Sequence, residues 1–247
     1  MGEERIESYQ DAFARIEGQV DAGNHDLSAL GFWRLVGRVK AEPRLAEHWA
    51  DVVGRIDRKA FEGRVGFRLP VWMGNLILGA GSIVLVALVP VGLGLARRDP
   101  ESPLAGLLVV AAAGGLATTV HDLAHWAVGR AAGIRFSHYF LDGPLLIQPG
   151  LKIEYASYLR ASPEARARMH AAGAVASKVA PFAVFGSVYL PHRAAGYDLL
   201  PSWSLWAILA FGALQLVTDV VSSRKRSDWK KVGRELRISR MQRKRVL

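Results

Sequence analysis

The sequence predicts an all-α integral membrane protein: about four transmembrane helices, an N-terminal helical cytoplasmic segment, and a short β-hairpin-like insertion at the membrane surface. Three observations predict it. The chain of 247 residues is 51% hydrophobic with a mean hydropathy of +0.15, yet 22% of its residues are charged. Those charges cluster outside four apolar blocks, Val71–Ala96, Pro103–Gly129, Met169–Leu190 and Ser202–Val221, each near the ~20 residues that span a bilayer. The net charge of +10 is also unevenly placed, which orients spans by the positive-inside rule.

Three stretches follow: residues 1–68, a soluble helical segment; 69–221, a four-span core; and 222–247, a basic tail. In the first, Ile6, Phe13, Ile16 and Val20 recur at helical spacing. Asp21-Ala22-Gly23-Asn24 breaks that helix, and Asp26 or Ser28 caps a second one carrying Leu30, Phe32, Trp33, Leu35 and Val36. Pro43 ends that helix or starts a third, which carries Leu45, Trp49, Val52, Val53 and Ile56. Trp33 and Trp49 read as core residues, with a membrane-surface contact as the alternative. His25 and His48 stand alone and read as structural or solvated. The start of the chain is polar and acidic, without the apolar core of a cleavable secretory signal.

Trp72, Trp203 and Trp206 lie near block ends, where interfacial aromatics belong. Pro181, within the third block, is a tolerated kink. Between the second and third blocks, Phe140-Leu141-Asp142-Gly143-Pro144 reads as a turn. Leu145-Leu146-Ile147 and Leu151–Tyr155 then flank Pro149-Gly150 in a hairpin-like pattern. Asp142 and Glu154 there read as solvated or as part of a groove, and His138 and His170 as interfacial. With four spans, the segment Arg130–Arg168 and the tail share a side, and their Arg and Lys place both termini in the cytoplasm. The tail carries Arg224, Lys225, Arg226, Lys230, Lys231, Arg234, Arg237, Arg240, Arg243, Lys244 and Arg245, against only Asp228 and Glu235. Beside an apolar span such a run favours anionic lipid, and no nucleic acid is expected. Ser222-Ser223 and Ser227-Asp228-Trp229 read as a cap or anchor for a helix after the last span, without chemistry.

The chemistry concentrates in His121-Asp122-Leu123-Ala124-His125, within the second apolar block. Histidines four apart share one helix face and can hold one metal ion. Ionisable groups at membrane depth are costly and mark function. Without cysteine, a zinc site draws on nitrogen and oxygen donors, three from the protein and one position left for water. Asp219, near the end of the fourth block at matching depth, is the candidate third ligand. The alternative is an interfacial Asp219 hydrogen-bonded to Thr218 or Ser222. Asp122 is the candidate general base, since a carboxylate beside a metal-activated water can take its proton. His192 lies on the opposite side.

These residues resemble the site-2 protease family of intramembrane zinc metalloproteases, in which one span carries His-Glu-x-x-His and a later span an Asp ligand. The similarity continues through Trp126–Arg135, through Ser162–Gly173 as the run into the next span, and through Leu214–Asp219. It covers roughly Val71 to Asp219. Asp122 stands where the family has Glu, and Val220-Val221 follow Asp219 where the family has Gly-Gly. The resemblance implies zinc held by His121, His125 and Asp219, Asp122 as base, and membrane-tethered protein substrates. Two other readings compete. A proteolytically inactive relative would act as a binding or regulatory module, as the Asp122 exchange suggests. A di-iron histidine-box oxidoreductase would need more than the seven histidines present.

Overall fold

The structure is a computed structural model. It describes residues 3–142, 148–195, 200–221 and 227–244, with the side chains of 3–6, 142, 148–149, 191–193, 195 and 218–221 outside that description. The expectations for Ile6, Asp142, Leu145-Leu146-Ile147, His192 and Ser222-Ser223 fall on those residues and so lie outside the described residues, as does the side chain of Asp219. In chain order the elements are α1 (Glu3–Asp21), α2 (Phe32–Lys40), α3 (Pro43–Arg64), β1 (Arg68–Pro70), α4 (Val71–Ala96), α5 (Pro103–Ala131), β2 (Phe136–Asp142), β3 (Gln148–Ile153), α6 (Tyr155–Arg160), α7 (Pro163–Ala195), α8 (Ser202–Val221) and α9 (Asp228–Lys244). The chain divides into two compact units. One comprises Met1–Val71, Gly129–Arg166 and Arg234–Leu247; the other comprises Trp72–Val128 and Ala167–Gly233.

The first unit is built on an apolar core from α1, α2 and α3. The helical periodicity of Phe13, Ile16 and Val20 turns all three inward, where they meet Phe32, Val36, Leu45, Trp49 and Val53. Phe13 anchors the cluster, its ring 6.3 Å from Phe32 and 5.2 Å from Trp49. Trp49 is buried as expected, whereas Trp33 is 39% exposed and lies against Phe32 and Tyr155. Asp26 caps a single turn rather than a helix. Its Oδ1 accepts from the Ser28 and Ala29 amides at 2.9 and 3.0 Å, and Gly31, at a φ of 74° open to glycine, turns the chain into α2. Pro43 takes the first position of α3, where its missing N–H costs nothing.

A three-stranded antiparallel sheet in the order β1-β2-β3 completes this unit with α6. A hairpin is present, but not at the expected residues. Pro149-Gly150 lies inside β3, opposite Leu141 and Phe140, and Phe140–Asp142 ends β2. This strand position takes glycine because the Phe140 ring crosses it: a Cβ at Gly150 would meet the ring at 2.6 Å. Proline is tolerated because β3 is an edge strand. β1 had no sequence expectation; three residues carry too little pattern to read.

Two polar clusters stiffen this unit. Glu235, from the C-terminal stretch, is fully buried with Lys40, Arg166 and Tyr158 around it. Arg166 also donates to the Leu159 and Ala161 carbonyls at 3.2 and 2.9 Å. Lys40 and Arg166 outweigh burial, which alone would raise it, and hold the Glu235 carboxyl below its usual range. Asp57 is buried with the Lys152 ammonium 2.6 Å away. Glu154 is not free in solvent: Arg58 and Arg135 both pair with it.

The second unit is apolar. Three helices among the described residues are long and apolar enough to cross a membrane: Val71–Ala96, Pro103–Ala131 and Pro163–Leu190. At 1.5 Å per residue, α4 alone is about 39 Å long, against ~30 Å of bilayer hydrocarbon. Only 6% of its most apolar window is buried, and Trp72, Leu76, Ile83 and Val84 face outward, as lipid-facing residues do. Ser82 Oγ lies 2.8 Å from Thr119 Oγ1, tying α4 to α5 with the kind of hydrogen bond that substitutes for hydrophobic driving force in lipid. Ala105, Val109, Ala113, Val184, Val188 and Ile208 form its packed interior. The described apolar part of α8, Ser202–Val217, is shorter than the other three.

Candidate metal centre

The spacing of His121 and His125 does what helix geometry requires: both project from one face of α5, ring centroids 4.6 Å apart and perpendicular. Their Nε2 atoms are 3.2 Å apart. Asp228, the first residue of α9, brings Oδ2 to 3.3 Å from His121 Nε2 and 3.2 Å from His125 Nε2. These separations match a metal. Donors at zinc's distance of about 2.0 Å on a tetrahedron lie about 3.3 Å from one another. Among the described residues this trio is the group able to hold an ion.

The surroundings of His125 strengthen the fit. Its Nδ1–H donates to the Met169 carbonyl at 2.7 Å. That bond sets the tautomer, leaving a lone pair rather than a hydrogen on Nε2. A lone pair then faces the Asp228 oxygen at 3.2 Å, a repulsive contact until a cation, proton or metal, lies between them. Gly173 on α7 makes the space: a Cβ there would lie 2.3 Å from His125 Nε2. His125 is buried, while the His121 side chain is 33% exposed, leaving the trio open on one side.

Asp228 divides its two oxygens. While Oδ2 faces the histidines, Oδ1 accepts from Lys231 Nζ at 2.9 Å, with His170 Nδ1 at 3.8 Å. Burial alone would raise the Asp228 carboxyl. With a proton on each Nε2, hydrogen bonds from His121 and His125, joined by the Lys231 ammonium, outweigh it and hold the acid far below the usual carboxylate range.

Of the residues expected at the site, His121 and His125 are brought together. Asp122 is half-buried beside them, within electrostatic reach of both histidines, Asp228 and Lys231. Asp219 lies on α8 with its side chain outside the described residues. Sequence reasoning missed Asp228, which it treated only as a cap. His170, read as interfacial, is 5% exposed, with its Nδ1 3.8 Å from Asp228 Oδ1. A signal for Asp228 was present: it and Glu235 are the sole acids in a tail otherwise rich in Arg and Lys. No protein-family model, curated protein or solved structure matches the chain.

Proposed function

We propose that this chain is an intramembrane zinc metalloendopeptidase, similar in its chemistry to the site-2 proteases, with His121, His125 and Asp228 as the metal donors. The observation that carries the reading is the donor triangle, 3.2–3.3 Å on each edge, built on a helix long and apolar enough to span a bilayer. Zinc in such a site supplies Lewis acidity and an acidified water. The remaining work falls to the chain. Asp122, adjacent to His121, takes the proton of the attacking water and returns it to the leaving amine. Met169 holds the His125 tautomer. The apolar walls of the second unit limit water to what the site needs.

In this reading α8 is a fourth span and the basic segments put both termini in the cytoplasm, with anionic lipid against the tail. The substrate is a membrane-tethered protein. Its helix must unwind locally, because helical carbonyls are already hydrogen-bonded and shielded from attack. A second reading, a metal-holding binding or regulatory module without turnover, is favoured by one observation: Asp122 is a methylene shorter than the glutamate such a role normally uses.

The test has two stages. Purified protein should carry about one zinc per chain, lost in both His121→Ala and Asp228→Asn; retention of zinc in both variants refutes the site. Cleavage of a panel of single-span peptides in proteoliposomes should then occur with wild type and fail with Asp122→Ala. Zinc retained with no cleavage of any peptide by wild type would favour the binding module; equal cleavage by wild type and Asp122→Ala would remove Asp122 as the base.

A further inference from the structure

We infer that Lys231 is a positioning residue that keeps Asp228 a one-oxygen ligand, and so sets both the open coordination position and the metal preference of the centre. The inference rests on the metal-centre reading and extends it. Asp228 and Lys231 are three residues apart on α9, neighbours on one helix face. The Lys231 ammonium engages Oδ1 at 2.9 Å, whereas Oδ2 alone points to the two Nε2 atoms. The Asp228 side chain is 15% exposed and that of Lys231 34%, so their bond is partly shielded from water.

A carboxylate with both oxygens free can swing round and bind a cation through both. Bidentate binding would fill the position that a hydrolytic zinc must leave for water. It would also favour metals that accept more oxygen donors, such as manganese or calcium. With Oδ1 committed to Lys231, Asp228 offers one oxygen. Two imidazoles and one carboxylate oxygen then make the three-donor open set that suits zinc. The ammonium also withdraws electron density from the carboxylate, which leaves the metal more electron-poor than a free aspartate would. The role is indirect: Lys231 shapes the ligand and is not itself one.

Cobalt(II) reports coordination number through its visible bands, intense when four-coordinate and weak when five- or six-coordinate. The full-length protein would be loaded with cobalt as wild type, Lys231→Met, Lys231→Gln and Lys231→Arg, with zinc and manganese affinities measured by competition. Wild type and Lys231→Arg are expected to give the intense four-coordinate spectrum. Lys231→Met and Lys231→Gln are expected to give weak bands, and their preference for zinc over manganese should fall about 10–100-fold, the range for lost outer-shell partners. The neutral pair differ in shape and polarity, so a folding failure in one leaves the other to decide. Intense bands and unchanged metal preference in a folded neutral variant overturn the role of Lys231 and leave the metal centre standing. A wild type that takes up no cobalt overturns the centre and this inference together.

Discussion

Asp228 and Glu235, seven residues apart on α9, are acids set against cationic or basic groups, the first part-buried and the second fully buried, yet they do opposite things. Glu235 is saturated. Two cations and a phenol surround its carboxylate, and burial leaves no room for a further ligand. Asp228 is half-satisfied: one oxygen is held by Lys231, and the other faces two ring nitrogens, one of which arrives as a lone pair. A saturated buried acid is a fastener. A part-buried acid left facing a lone pair is a socket for a cation.

The largest test of this contrast is replacement of each carboxylate by its amide. Asp228→Asn should weaken zinc binding by more than about 100-fold, beyond the range for outer-shell partners, in equilibrium competition with a chelator. Asp219→Asn run alongside discriminates the two acids: if Asp219→Asn and not Asp228→Asn releases zinc, the donor set named above is wrong. Glu235→Gln should act on stability instead. Leaving Lys40 and Arg166 buried without their counter-charge costs about 3–5 kcal/mol, read as a lowered midpoint in thermal or denaturant unfolding. An unchanged midpoint would show that the cluster is no fastener.

A smaller effect comes from the space around the ring. Gly173→Ala places a methyl where His125 Nε2 lies, whereas a Cβ at Gly186 on the same helix meets nothing within 4 Å. Zinc affinity should drop about 10–100-fold in Gly173→Ala and stay unchanged in Gly186→Ala. Equal losses would trace the effect to α7 in general rather than to the slot.

The smallest effect concerns an outer cluster. Hydrogen bonds from Arg55, opposed by burial and joined by Lys59, lower the Glu17 carboxyl from 4.5 to about 2. A depressed acid contributes stability above its unfolded pKa and loses it as pH falls through the folded one. Stability should therefore decline as pH drops from 4.5 through about 2, and Glu17→Gln should flatten that part of the profile. A profile identical in the variant would remove Glu17 from the account.

The legible parts of this chain are those in which one residue's neighbours lie close in sequence. Helical periodicity placed Phe13, Ile16, Val20, Trp49 and Val53 in a core, and of the four apolar runs read as spans, three fall in helices long and apolar enough to cross a membrane. The histidine pair was readable because i and i+4 meet on any helix. Asp228 was not, because it reaches His125 from 103 residues away, and only packing decides which acid of a chain arrives there. Pro149-Gly150 misled for a related reason. The pair reads locally as a turn, but pairing with Leu141 and Phe140 makes it part of a strand, and the Phe140 ring over Gly150 leaves room there for glycine alone. Lys40 and Arg166 gave no local sign of burial either, since their partner Glu235 lies far along the chain.

The bond from His125 to the Met169 carbonyl, with Gly173 one turn further along α7, also has a consequence for how this protein can vary. Carbonyl and gap share one stripe of the helix, so together they act as a rotational key. Inserting or deleting one residue between Pro163 and Met169 would turn that stripe by about 100° while leaving composition and hydropathy almost unchanged. Point exchanges of one apolar residue for another along α7 should be absorbed. Changes in length ahead of Met169 should not, so natural variation there is expected as substitutions, with gaps confined to the loops.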